Sequence, residues 1–347
     1  MSAAVQAGPD ERLVKPGLWD RLVVRPEIGA LLGALLVFVF FSVVTGQFLS
    51  PLGVANWLDD ASTLGIMAVA VSMLMIGGEF DLSAGVMTAS TALVTAILST
   101  QAGLNVWLAL LVSLAFALAV GALNGWLVMR TGLPSFIVTL GTFLALQGLN
   151  LGITRLVTGT VQVSGMRATD GYESTGSLFA STIDIGGTAF QVSILWWIVF
   201  AALAAWVLVR TRFGNWIFAV GGSSLSSRAV GVPVVRTKIL LFMTTAFAAW
   251  VVGSINLLRN AGVQANQGIG LEFQYIIAAV IGGCLLTGGF GSAVGAAIGA
   301  LIFGMARQGI VYAQWDSDWF MLFLGIMLLA AVLVNNTFRR RAERVRR

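Results

Sequence analysis

Ten apolar stretches run through this chain, at 28–44, 63–77, 83–100, 107–129, 134–154, 192–209, 239–258, 273–286, 292–312 and 319–335. A bilayer core of about 30 Å takes roughly 20 residues of helix, and backbone inside it must satisfy its own hydrogen bonds. A series of this kind therefore predicts an all-α polytopic membrane protein with about ten transmembrane helices. Only 10% of the residues are charged, where a soluble domain carries about a quarter. Glycine is abundant at 41 residues, as expected where membrane helices approach closely. The second and eighth stretches are short, and each leads into a Gly-rich break, GGEFDLSAG at 77–85 and TGGFGSAVG at 287–295. Short broken helices are expected at these two turns.

Ten spans place both termini on one side, and the charges say which side. Arg12, Lys15, Arg21 and Arg25 precede the first stretch, Arg130 follows the fourth, and Arg210, Arg212, Arg228, Arg236 and Lys238 lie between the sixth and seventh. Arg339, Arg340, Arg341, Arg344, Arg346 and Arg347 close the chain, so sixteen of the twenty Lys and Arg fall on one face. Positive loops stay cytoplasmic, so both termini are expected in the cytoplasm. The expected organisation is a cytoplasmic tail at 1–27, read as a tail and not as a signal peptide, a transmembrane domain at 28–337, and a basic tail at 338–347. Within the domain, 210–238 is a cytoplasmic loop and 155–190 a long extracytoplasmic one, with room for a short helix. Asp59 and Asp60 are expected just before the second span, outside the membrane.

The composition also excludes chemistry. There is no His, and Cys284 is the single cysteine, which removes imidazole metal sites, Ser-His-Asp triads and internal disulfides. Lys15 and Lys238 are the only lysines and neither follows Gly, so the chain has no Walker-type phosphate loop. The net charge of +5 follows from membrane topology and implies no nucleic acid. An ATPase, if one drives this protein, is another subunit.

Four groups of residues are candidates for function. The break Gly78, Glu79, Asp81, Ser83, Gly85 puts two carboxylates between apolar spans, where charge is costly and usually functional; Asp81 or Ser83 equally caps the helix beginning near Ala84, and Glu79 has a plain reading at the cytoplasmic interface. The pairs Gly121/Gly125 and Gly148/Gly152, and the series Gly291, Gly295, Gly299 with Gly304 beyond, read as helix-packing faces. In the basic segment, Gly222, Ser223, Ser227, Arg228, Ala229 and Gly231 describe a short helix capped by Ser223 or Ser224 and ended by Gly231 before Pro233, a shape suited to a partner's groove. Asn124, Gln147, Asn150 and Asn256 either hydrogen-bond across helices or, with Phe136, Phe143 and Phe247, line a path of amides and aromatics. IGGEFDLSAGVMTAS and IGGCLLTGGFGSAVGAAIG also resemble each other, as a parallel repeat or by chance.

These segments carry a resemblance. GGEFDLSAGVMTAS, GLPSFIVTLGTFLALQGL at 132–149, FGNWIFAVGGSSLSSRAVGVPVVRTK and IGGCLLTGGFGSAVGAAIGALIFGM are similar, in that order, to the membrane permease subunits of bacterial ABC importers for monosaccharides, the ribose/xylose/galactose group. Glu79 departs from the apolar or neutral residue usual there. The resemblance implies ten helices, a second permease copy, a cytoplasmic ABC ATPase docked on the 222–231 element, and an extracytoplasmic sugar-binding protein. It implies a multi-pass protein of the bacterial plasma (inner) membrane that needs no cofactor and performs no catalysis. The rival reading is an ion-coupled secondary carrier, with Glu79 and Asp81 as its ion site.

Overall fold

The structure is a computed structural model that describes residues 26–316 and 318–345. Among these residues seven helices are long and apolar enough to cross a bilayer: α1 (Pro26–Val44), α2 (Pro51–Ile76), α4 (Val106–Thr131), α5 (Ser135–Thr158), α7 (Ser193–Arg210), α10 (Val234–Asn260) and α12 (Ala293–Tyr312). Three more apolar elements are shorter in their apolar part, namely α3 (Ala84–Thr100), α11 (Leu271–Ile281) and the first part of α13 (Trp319–Val345). The remaining helices, α6 (Tyr172–Phe179), α8 (Arg212–Gly222) and α9 (Ser224–Ala229), lie in the connections. The basic residues expected at 1–25, and Arg346 and Arg347, lie outside the described residues.

Burial sorts the helices. α2, α3, α10 and α12 are buried over most of their surface and form the centre, as helices apolar on all sides do. α1, α4, α5 and α7 turn large residues such as Leu36, Leu111, Leu144 and Leu203 outward, which suits contact with lipid chains. Glycine brings the central helices together. A Cβ on Gly295 or Gly299 of α12 would overlap the carbonyl oxygens of Gly282 and Ala278 at α11, and one on Gly304 would overlap Trp57 of α2. Gly121 and Gly125 of α4 face the backbone of α10 in the same way, at 2.8 Å from the Phe242 carbonyl and 2.7 Å from the Ile239 Cα. Gly148 and Gly152, which carry the same spacing, meet nothing within 4 Å; their face of α5 is open, so the packing reading fails for that pair within this chain.

Two expectations about the spans change. The second span is not short: α2 starts at Pro51, with Ser50 accepting a hydrogen bond from Gly53 N at 3.0 Å. Asp59 and Asp60 therefore sit within it. They are tolerated because distant helices supply partners: Arg259 of α10 donates to Asp59 at 3.0 Å, with Ser193 bonded to both, and Gln308 of α12 donates to Asp60 at 2.7 Å. The eighth segment is shorter than expected, since α11 ends at Ile281.

The 155–190 connection holds α6 and the antiparallel pair β2 (Thr182–Ile185) with β3 (Thr188–Gln191), and its β1 (Gln162–Ser164) pairs antiparallel with β4 (Gly262–Gln264), which follows α10. The β2–β3 pair turns at Gly186 and Gly187, both at positive φ, as a tight hairpin requires. α6 docks through Phe179, stacked on Trp196 of α7 at 5.5 Å and edge-on to Trp250 of α10, which begins a second stack through Phe247 to Phe200.

The 210–238 segment is not a loop. Thr211 ends α7 and at once caps α8, accepting from Gly214 N at 3.1 Å. Ser223 caps α9, accepting from Ser226 N at 3.2 Å, and Gly231 at φ +84 ends that element. Arg236 and Lys238 already belong to α10.

Candidate functional site

The two Gly-rich breaks have the same backbone. α2 ends at Ile76 with Gly77 right-handed and Gly78 at φ +82; α11 ends at Ile281 with Gly282 right-handed and Gly283 at φ +92. In both, the amide two residues past the first glycine reaches back five residues in the same pattern, Glu79 to Leu74 and Cys284 to Ala279, the glycine-based helix stop. The sequence similarity between 76–90 and 281–299 thus corresponds to a shared helix-ending geometry.

The breaks meet each other, and they meet the end of α8. Gly289 N donates to Ile76 O at 2.8 Å. A Cβ on Gly221 would overlap that same Ile76 oxygen and lie 2.6 Å from Gly289 N. A Cβ on Gly288 would lie 2.7 Å from the Cα of Gly78, and one on Gly289 would lie 2.9 Å from that of Gly222. Three backbone segments are in contact here because none of them carries a side chain at the crossing. The AVGG sequence of the basic segment is explained by this junction.

Beyond Gly78 the chain runs non-helically to Ser83, and neighbouring helices satisfy it. Ser135 Oγ accepts from Phe80 N at 3.0 Å and Thr139 Oγ1 from Leu82 N at 3.0 Å. Thr142 donates to Asn124 Oδ1 at 2.6 Å, Asn124 Nδ2 donates to Ser83 Oγ at 3.0 Å, and Ser83 Oγ donates to Asp81 Oδ1 at 2.5 Å. Asp81 also accepts from Ser83 N at 2.9 Å and from Thr245 of α10 at 3.2 Å. Lys238 Nζ pairs with Glu79 Oε1. Thr245 is eleven residues into α10, about 16 Å along a helix rising 1.5 Å per residue. The break therefore climbs well into the bundle, and its Glu79, Phe80, Leu82 and Ser83 amides and both its carboxylates have protein partners, as non-helical backbone at such depth calls for.

This arrangement places both carboxylates. Glu79 is 7% exposed and ion-paired. Asp81 acts locally as a cap for the Ser83 amide, while Ser83 makes no side-chain cap to α3. Glu79 is thus held by Lys238, and Asp81 accepts from the Ser83 amide, the Ser83 hydroxyl and Thr245. Gly85 is where α3 meets the start of α11: a Cβ there would overlap the Glu272 carboxylate and lie 2.5 Å from Gly268 O.

The path candidates do not form one group. Asn124 joins the break. Asn150 is 7% exposed with its Nδ2 unpartnered, Phe143 and Gln147 are half-buried on the same helix, and Phe136 faces outward. Phe247 belongs to the aromatic stack with α7, and Asn256 lies half-buried near the far end of α10. The residues missed by sequence reasoning are Lys238, Thr245 and the three hydroxyls Ser135, Thr139 and Thr142. The last three were visible as a 4,3 spacing, which puts them on one helix face.

At the 222–231 element, Ser227 is buried, whereas Gly222, Ser223, Arg228, Ala229 and Gly231 are exposed, and so are Leu225 and Val230, at 84% and 80%. No solved structure matches this chain. The family described as branched-chain amino acid transport system / permease component matches residues 53–332. The ribose import permease protein RbsC of Escherichia coli (strain K12) is 30% identical over 311 residues, covering 89% of this chain and 94% of that protein. The xylose transport system permease protein XylH of the same strain is 30% identical, covering 88% and 90%, and the probable ABC transporter permease protein YphD is 32% identical, covering 92% of each. The resemblance to monosaccharide permeases holds over most of the chain, including both breaks and the whole of α8 to α10. The chain is a multi-pass membrane protein and belongs to the permease-component family that matches it.

Proposed function

We propose that this chain is the membrane-spanning subunit of an ATP-driven ABC importer in the bacterial plasma membrane, and that it forms the path for a pentose, hexose or related polyol. In this reading two permease copies share one path, a binding protein delivers the sugar on the side of α6 and the hairpins, and an ABC ATPase docks on α9 on the cytoplasmic side. The relatives that carry ribose and xylose in their names support the substrate class. Transport is by alternating access, with ATP-driven movement of the partner shifting α9 and exposing the path first to one side, then to the other.

The observation that carries the ATPase reading is α9 itself. It is a capped helix of six residues that presents Leu225, Val230 and Arg228 outward, and it stands on the junction where α8 touches both breaks. An exposed Leu and Val beside a basic residue, on a rigid element outside the spans, form a small apolar knob for a partner's groove. Movement of α9 reaches the breaks through the end of α8, whose Gly221 lies on Ile76 and Gly289.

The test is charge and bulk at the knob. Leu225→Asp, Val230→Asp, Arg228→Glu and Gly231→Trp are expected to leave membrane insertion unchanged while separating ATP hydrolysis from uptake. Sugar-stimulated ATPase activity and uptake at the unsubstituted level in all four would remove α9 as the docking element.

A further inference from the structure

The Glu79–Lys238 pair has no part in the docking knob and none in holding the break's backbone. It is the most deeply buried ion pair among the described residues, with side-chain exposures of 10% and 11%, against 24% and 25% for Arg259–Asp59. Burying two charges is expensive, and a pair of apolar residues fills such a site as well or better for stability alone. Its position offers a reason for its presence. Lys238 lies one turn into α10, just past the corner at Pro233 that follows α9. Glu79 follows Gly78, the residue that faces Gly221. The pair thus joins the start of α10, which is connected to α9 by only a few residues, to the first residue of the break after its left-handed turn.

A second tether from α10 to the break, Thr245 to Asp81, lies seven residues further along and is uncharged on the α10 side. The other polar ties of the break run to α4 and α5, from Asn124, Ser135 and Thr139. Only Glu79–Lys238 links the break to α10 by charge on both partners. Coulomb attraction between such groups is several-fold stronger where water is excluded than where it enters. A buried pair at this point therefore holds α10 against the break while the site is dry and lets go once the opening path hydrates it.

We propose that Glu79 and Lys238 are a hydration-released latch: positioning residues that hold the break closed against the first turn of α10 and set when it opens during transport. The proposal takes from the importer reading only the source of the motion, since the latch itself is read by uptake.

The test uses the full chain with its partner subunits in cells, with uptake of a mixture of labelled pentoses and hexoses and membrane abundance measured together. The Glu79→Leu/Lys238→Met double variant replaces the pair with apolar residues of similar size, so a merely structural pair predicts normal transport. The latch predicts normal abundance with uptake lowered on the order of tenfold, within the range usual for coupling between sites. Normal uptake in that variant overturns the proposal. If the double variant is poorly inserted, a Glu79→Cys/Lys238→Cys variant in a Cys284→Ser background is joined by a cleavable bifunctional thiol reagent. Cross-linking should stop uptake and reduction restore it, and uptake that continues while cross-linked overturns the latch. Uptake by the unsubstituted chain that survives ATP depletion would remove the importer reading and leave both comparisons valid.

Discussion

Gly221 and Gly222 are adjacent, both end α8, and differ completely in what a methyl group would meet. At Gly222 a Cβ has nothing within 4 Å; at Gly221 it overlaps the Ile76 carbonyl oxygen and lies 2.6 Å from Gly289 N. Ordinary contact needs about 3.5 Å, so Gly221→Ala must push apart the two segments joined by the Ile76–Gly289 hydrogen bond. Overpacking costs about 1–3 kcal/mol, and leaving that donor and acceptor unpaired costs about 1–3 kcal/mol more. Higher helix propensity returns up to about 1 kcal/mol. The net loss is about 1–5 kcal/mol, a fall in melting temperature of roughly 2–10 °C at about 2 °C per kcal/mol. Gly222→Ala has only the propensity gain. The assay is thermal unfolding of the two purified variants in one detergent, followed by sugar uptake in cells. Gly221→Ala is expected to melt lower and transport poorly, with Gly222→Ala close to the unsubstituted protein. Equal melting and equal uptake would refute the three-segment junction and the transmission path built on it.

Three further outcomes follow from the same geometry. Asp81→Ala strips the acceptor from the Ser83 amide, the Ser83 hydroxyl and Thr245, and should lower stability by about 1–3 kcal/mol per buried donor left unpaired, whereas Asp81→Asn keeps one acceptor oxygen and should lose less; thermal melts rank the two. Gly85→Leu forces α3 away from the Glu272 carboxylate and Gly268 and should reduce membrane abundance on immunoblot, beyond any effect of Gly148→Leu, whose site is open. Phe247→Ala interrupts the stack between Phe200 and Trp250 and, at a half-buried position, should cost less than a fully buried Phe does, about 3–5 kcal/mol, read as a drop in melting temperature with no change in ATPase docking.

What the sequence made legible was what depends on neighbours along the chain. Apolar length marked the helices. Ser223, Gly231 and Pro233 marked α9, because a cap, a left-handed stop and a helix breaker act within a few residues. Gly295 and Gly299 read correctly as one packing face, while Gly304 packs on a different neighbour, α2. Long-range pairing was hidden. Asp59 and Asp60 looked like the edge of a span because Arg259 and Gln308, which make them tolerable, are 200 and 248 residues away. The Ser50-Pro51 start that would have corrected this was present as a local signal. Lys238 was counted among loop charges since nothing near it in sequence shows Glu79, 159 residues earlier. Gly148/Gly152 shows the converse: the same spacing as a packed pair, with no partner in this chain, because spacing records a smooth face and not what covers it.

The energy source separates an ATP-driven importer from an ion-coupled carrier. Uptake of labelled ribose and xylose is measured in cells lacking ATP synthase, with ATP depleted by arsenate in one arm and the proton gradient dissipated by a protonophore in the other. The account predicts that uptake stops when ATP is depleted and persists without the gradient, and that both features vanish when the gene for this chain is deleted. Uptake that persists through ATP depletion and collapses with the gradient would contradict it, and would make this chain a carrier working without an ATPase.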